Sequence, residues 1–179
     1  MNDNFFHYLH CLELIAFYSG YPLLYTAVFL IAGNREQRNN LKRTLISLLP
    51  YSYALVATLY MVFELNNLYP NYSFHNLKNF STQPFLPVWG ILALLFWIPV
   101  FARRMFLSLL HSLIFFILLA NDIFFSEPAS AGAVYVIRND MKLYTASVIL
   151  NSLSFITVAT IYFLVRWFRS FRKSSRIVN

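Results

Sequence analysis

The sequence predicts an all-α integral membrane protein in which five transmembrane helices form a single domain over residues 1–179. Three observations predict this class: an apolar composition, five long apolar stretches, and connecting segments that alternate between rich and poor in basic residues. Hydrophobic residues make up 59% of the chain and charged residues 12%, and the mean hydropathy is +0.56. An ordinary soluble domain has about twice that charged fraction, so the composition excludes one.

The five apolar stretches are each close to the length that crosses about 30 Å of hydrocarbon. They run over residues 9–32, 44–65, 85–101, 105–126 and 143–165, and the third is the shortest. At that depth the backbone polar groups must bond within their own segment, so each stretch is predicted to be a helix. The first stretch has no basic residue before it and is interrupted by Glu13 and Pro22, which argues against a cleaved signal peptide.

The basic residues predict the orientation of these helices. Of the 14 Lys and Arg residues, eleven lie in the first and third connecting segments and the C-terminal tail, and three lie in the second and fourth. The positive-inside rule therefore places the N-terminus outside and the C-terminus in the cytoplasm, which requires an odd number of crossings. We expect the plasma membrane or a bacterial inner membrane. The net charge of +7 follows from this topology, and no nucleic-acid partner is predicted.

The fourth stretch, residues 105–126, has a polar face. Ser108, His111 and Ser112 lie on or beside the face that carries Asp122, since eleven residues return to nearly the same side of a helix. We therefore expect this helix to be the interior one, with the others packed around it. The turn before it is so short that the third and fourth helices must form an antiparallel hairpin, and Pro99 is expected to kink or end the third.

Two connecting segments have apolar character as well. The segment over residues 66–84 is aromatic and is expected to lie on the headgroups, with a partner surface as the alternative. It holds two Asn-x-Ser patterns, at Asn71 and Asn79. In the segment over residues 127–142, residues 131–137 are expected to cover the bundle.

Three acidic residues lie at similar depth on different predicted helices. Glu13, Glu64 and Asp122 are each near the outer end of a span, and His10 is one turn from Glu13. Such a cluster could bind a cation, relay protons or hold a metal, because ionisable groups in a membrane mark functional sites. The favoured interpretation is simpler: carboxylates at the interface reach water easily. No metal and no cofactor are predicted.

His111 lies deeper, and a lone histidine within a membrane is more often hydrogen-bonded to a neighbouring helix than catalytic. Its expected partners are Ser147, Asn151 and Ser154, which recur at helical spacing on the fifth span. The second span has a comparable stripe that leads to an acid and should also face the bundle. That stripe consists of Tyr53, Ala57, Tyr60 and Glu64.

The C-terminal tail, residues 166–179, alternates basic and aromatic residues and is predicted to contact anionic lipid headgroups. Its contact residues are Arg166, Trp167, Arg169, Arg172, Lys173 and Arg176. A stop-transfer flank would look much the same, and that interpretation is favoured over a dedicated lipid switch.

No motif with catalytic spacing occurs, and the one cysteine, Cys11, is expected to be a small buried hydrophobe. The first functional hypothesis is a non-catalytic subunit or accessory factor that packs against other membrane proteins or copies of itself. The second is a small ion or proton-coupled channel or transporter that uses the outer acids. The third and weakest is a membrane enzyme acting on a lipid.

Overall fold

A computed structural model of the chain describes residues 12–33, 40–67, 85–125 and 133–175. Within these ranges, residues 32–33, 40, 67, 85–87, 122–125, 133–140 and 171–175 are described as helix without their side chains. The described residues are helical apart from short turns and contain no strand, which confirms the predicted all-α class.

Seven α-helices and one 3₁₀ helix make up the described part of the chain. They are α1 (residues 12–18), α2 (Tyr21–Gly33), α3 (Asn40–Asn67), α4 (Phe85–Leu92), the 3₁₀ helix (Ala93–Trp97), α5 (Pro99–Ala102), α6 (Met105–Phe125) and α7 (Ala133–Ser175).

Three helical segments are long and apolar enough to cross a membrane: Leu12–Ile31, Leu41–Asn66 and Met141–Ser170. They correspond to the first, second and fifth predicted spans. The third and fourth predicted spans contain shorter apolar helices, Val88–Trp97 and Met105–Asn121. The structure thus shows three helices of spanning length, and the count of five remains a prediction.

The first long segment is broken between α1 and α2 because of Pro22. Proline has no N–H, and its ring clashes with the carbonyl of the residue four positions earlier, Tyr18, so the chain turns at Ser19 and Gly20. Gly20 is required there by a close approach to α7. A Cβ atom on Gly20 would lie 2.4 Å from the backbone nitrogen of Val148.

The third predicted span changes conformation twice. After α4 the chain forms the 3₁₀ helix, and Ile98 is then extended, with φ −77° and ψ 124°. The residue before a proline is pushed toward this region, and Pro99 fits the first turn of α5, where no N–H is needed. The expected break at Pro99 is confirmed.

The central helix is α3, and the prediction that α6 is central was wrong. α3 contacts α2, α4, α5, α6, α7 and the 3₁₀ helix. It combines small and aromatic side chains, such as Ala57 and Tyr60, that are buried on several sides. The predicted polar face of α6 is indeed buried, but Phe106 and Ile117 on its other side are each 61% exposed. α6 therefore lies at the edge.

α7 is one helix of 43 residues. A loop was predicted over residues 127–142, but the chain is helical from Ala133 onward. Residues 133–137, which were expected to cover the bundle, are therefore the start of α7. Residues 133–142 contain no Gly or Pro to stop a helix, and Arg138 and Lys142 are charges that an exposed helix tolerates. Residues 68–84, with Asn71 and Asn79, lie outside the described residues.

Candidate functional site

Four buried tyrosines from three helices form the centre of the bundle. Tyr18, Tyr21, Tyr53 and Tyr60 are each 0% exposed. The ring centroid of Tyr53 lies 4.4 Å from that of Tyr21 and 5.5 Å from that of Tyr18, and Tyr18 lies 5.6 Å from Tyr60. The rings fill the space between helices, and each hydroxyl brings a polar group into an apolar interior.

His111 joins this cluster through both of its ring nitrogens. Nε2 lies 2.9 Å from the backbone oxygen of Trp89, and Nδ1 lies 2.7 Å from the hydroxyl of Tyr53. A carbonyl oxygen only accepts, so Nε2 carries the hydrogen in the neutral ring. Nδ1 is then the acceptor, and Tyr53 donates to it. The hydrogen bonds fix both the tautomer and the ring orientation.

Trp89 holds His111 in two further ways. The indole and imidazole rings are stacked, with centroids 4.8 Å apart and planes 5° apart. The indole Nε1 also donates to the backbone oxygen of His111 at 3.4 Å, a long hydrogen bond. α4 and α6 are therefore linked in both directions.

The next residue, Gly90, accepts a hydrogen bond from Tyr18 at 2.8 Å. A Cβ atom on Gly90 would lie 2.8 Å from the Leu14 side chain and 3.1 Å from the Tyr60 ring. Glycine thus lets α4 approach the tyrosine cluster closely enough for its carbonyl to be used.

Tyr21 joins α2 to α6 through a hydrogen bond. Its hydroxyl lies 2.8 Å from Ser108 Oγ, and Ser108 donates its own hydrogen to the backbone oxygen of Met105. Tyr21 must therefore be the donor in the first of these bonds.

The expected partners of His111 on α7 were wrong. Ser147, Asn151 and Ser154 are buried, at 0%, 1% and 4% exposure, so the predicted stripe does face the bundle. It bonds to the first span instead. Ser147 Oγ accepts from the backbone nitrogen of Gly20 at 2.9 Å, and Asn151 Nδ2 donates to the backbone oxygen of Phe17 at 2.8 Å.

The structure brings two of the three predicted acids to one place. Glu64 is 7% exposed, and both Glu64 and Glu13 lie within electrostatic range of the Tyr60 hydroxyl. Asp122 belongs to α6, but its side chain lies outside the described residues, as does all of His10. Two of the three acids thus lie near one tyrosine hydroxyl, and the predicted three-helix cluster stays a prediction.

His111 is not brought to these acids. It bonds to Tyr53, which is eleven residues from Glu64 along α3, or about 16 Å at 1.5 Å per residue. The described residues include no group of three His, Cys, Asp or Glu side chains placed to hold a metal ion.

Of the predicted headgroup contacts, Arg166, Trp167 and Arg169 are exposed on α7. Arg172 and Lys173 continue the helix without described side chains, and Arg176 is outside the described residues. The tail is therefore helical as far as Ser175, which the sequence did not predict.

No family model, no curated protein and no solved structure matches this chain. Its function must be argued from its own residues.

The sequence did not identify Tyr18, Tyr21, Trp89 and Gly90 as part of the core. The spacing of Tyr18 and Tyr21, three residues apart in an apolar stretch, could have indicated the two tyrosines. The roles of Trp89 and Gly90 depend on backbone carbonyls, for which a single sequence has no signal.

Proposed function

We propose that this protein is a multi-pass membrane protein that serves as a non-catalytic subunit or accessory factor of a membrane assembly. It would lie in the plasma membrane or a bacterial inner membrane, with the N-terminus outside. The observation that carries the proposal is the unequal burial of the three long helices. In an 18-residue apolar stretch of each helix, 44% and 50% of the residues are buried within the chain for the first two segments, against 11% for the segment on α7.

The outer face of α7 supports a protein partner on that side. It carries a shallow groove of about 590 Å³. Ala159 and Thr160 are small, and Phe155 and Phe163 stand beside them along the groove. Small residues between large ones allow another membrane helix to approach closely, and this is the main source of helix affinity in lipid.

The state of His111 supports a non-catalytic role. Both ring nitrogens are engaged in hydrogen bonds, and the ring is stacked on Trp89 and 9% exposed. To act as a base, the ring would have to give up the bond from Tyr53. Tyr53, the partner of His111, lies about 16 Å from Glu64 along α3, and this separation likewise does not favour a membrane enzyme.

The proposal is tested by gentle purification from native membranes, with the mass and composition of the purified particle as the measurement. A stoichiometric membrane partner or a defined homo-oligomer is expected. Recovery of a monomer alone, in lipid nanodiscs as well as detergent, would overturn the proposal.

A matched pair of variants locates the contact. Thr160→Phe fills the groove and is expected to reduce partner recovery at least tenfold. Thr157→Phe makes the same change one turn away, at an exposed threonine outside the groove, and should leave recovery unchanged. Equal effects of the two variants would remove the groove from the contact.

A second candidate function is proton or ion passage at the outer acids. Its support is the burial of Glu64 beside Tyr60, together with the approach of Glu13. Burial of a carboxylate within a span costs free energy, so such a residue is a candidate functional site. In proteoliposomes, Glu64→Gln and Asp122→Asn should each abolish flux if the acids carry it. Normal flux in both variants, at normal protein levels, would remove the acids from the mechanism.

A further inference from the structure

A recess between α3 and α7 brings together two arginines that are far apart in sequence. It has a volume of about 370 Å³ and is lined by Arg43, Thr44 and Ser47 of α3 and by Arg166 of α7. A tetrahedral anion with part of its hydration shell fits in that space.

The recess carries positive charge without a counter-charge from the described residues. Neither Arg43 nor Arg166 forms an ion pair with a described carboxylate; the acids with described side chains, Glu13 and Glu64, are near Tyr60. Two guanidinium groups at one recess repel each other, and this repulsion is relieved when an anion lies between them. Ser47 donates its hydrogen to the backbone oxygen of Thr44, so the arginines are the main donors.

The depth of the recess matches that of lipid phosphates. The apolar segment of α3 begins at Leu41, two residues before Arg43, and that of α7 ends at Ser170, four residues after Arg166. Both arginines thus lie at the same end of antiparallel helices, where hydrocarbon gives way to headgroups. Trp167, 53% exposed and next to Arg166, is an aromatic residue of the kind enriched at that boundary.

We propose that this recess binds the phosphate group of an anionic phospholipid, with Arg43 and Arg166 as its two charged ligands. The lipid would thereby bridge the N-terminal end of α3 and the C-terminal end of α7. The proposal rests on the membrane insertion proposed above, but not on the existence of a protein partner.

The experiment measures lipid binding to the full-length protein in mild detergent by native mass spectrometry. Phosphatidylglycerol is the probe, and phosphatidylcholine is the neutral comparison. At about 1 kcal/mol per basic residue near the membrane surface, Arg43→Gln or Arg166→Gln should each weaken phosphatidylglycerol binding about fivefold, and both together about 30-fold. Binding of phosphatidylcholine should change little.

Arg104→Gln is the matched control, because Arg104 is exposed in the turn before α6, on the same predicted side of the membrane, and does not line the recess. It should have less than a twofold effect. If it weakens binding as much as Arg166→Gln does, the attraction belongs to the basic surface in general and the proposal is overturned. The double variant Arg43→Lys/Arg166→Lys keeps both charges and loses the paired N–H groups. It should bind measurably less lipid than the wild type, so unchanged binding would also contradict a built site.

A competition experiment distinguishes a lipid from a soluble ligand. Inorganic phosphate and glycerol 3-phosphate at millimolar concentration should not displace phosphatidylglycerol. Displacement by either would assign the recess to a free anion. If native membranes yield only a monomer and that monomer binds phosphatidylglycerol selectively, the subunit hypothesis is overturned and this one is intact. A stable partner without lipid selectivity would do the reverse.

Discussion

Three contacts fix His111: it donates a hydrogen bond to the backbone oxygen of Trp89, accepts one from Tyr53, and stacks on the indole ring of Trp89. Tyr53 belongs to α3 and Trp89 to α4, so His111 ties these two helices to α6. Interhelical hydrogen bonds of this kind contribute about 0.6 kcal/mol each on average in a membrane protein. The cluster as a whole decides which faces of these helices meet.

Removal of the donor to His111 should therefore destabilise the fold. In Tyr53→Phe the buried nitrogen Nδ1 loses its partner, and the free energy of unfolding is expected to fall by about 1–2 kcal/mol. The measurement is reversible unfolding in mixed micelles of increasing dodecyl sulfate. Tyr162→Phe, at a tyrosine that is 38% exposed, is the control and should change stability by less than about 0.5 kcal/mol. Equal losses in both variants would contradict the role given to the bond.

At this scale the sequence predicted which faces are buried but not which atoms meet. The stripe of Ser108, His111 and Ser112 was evident from helical spacing, and all three are buried. The acceptor of the His111 hydrogen is a backbone oxygen, and every residue has one. Only the placement of α4 against α6 selects Trp89 from all the others.

α7 packs along α3 and is tied to the first span by two hydrogen bonds. Ser147 and Asn151 reach the backbone of the first span at Gly20 and Phe17, while much of α7 faces outward. Loss of these two bonds should weaken the attachment of α7 to the first span while its packing against α3 remains.

The double variant Ser147→Ala/Asn151→Ala is expected to lower the free energy of unfolding by about 1–3 kcal/mol, since each bond contributes about 0.6 kcal/mol and at most about 1.7. The control is Ser152→Ala/Thr157→Ala, because those hydroxyls bond only to carbonyls of their own helix, four residues earlier. The same unfolding measurement applies, and the control should remain within about 0.5 kcal/mol of the wild type. A control as destabilised as the test variant would show that α7 is not anchored by its polar stripe.

The pattern of polar residues within each span did not indicate which helix lies in the middle. α6 has the more obvious polar face, but α3 became central because its buried side chains point in several directions, which periodicity within one span does not reveal. The start of α7 was missed for a related reason. Charges such as Arg138 and Lys142 indicate the end of a membrane span, but not the end of a helix.

In the whole molecule, the recess brings together basic residues from two segments that the sequence assigns to the same side of the membrane. Arg43 belongs to the first basic connector and Arg166 to the tail, and the fold places the two side by side. These two positive charges are thus at one end of the bundle, while the orientation in the membrane stays a prediction.

Reporter fusions test the orientation. A reporter after residue 178 should be active in the cytoplasm, and one inserted at residue 75 should be active outside, because eleven of 14 basic residues lie on the predicted inner side. Replacement of Cys11 by Ala, followed by single cysteines at the same two positions, gives a second measurement with an impermeant thiol reagent. Labelling of residue 178 from outside in intact cells would reverse the assignment.

The contact between Gly20 and Ser147 also bears on biogenesis. The two residues are 127 positions apart, so at about 5–20 residues per second the ribosome makes Ser147 about 6–25 s after Gly20. During that interval the kinked first span is in the translocon or the bilayer with the N–H of Gly20 still lacking its final acceptor. α7, which is synthesised after the other described helices, completes the first span, so a chain truncated before α7 should be recognised by quality-control proteases as unfinished.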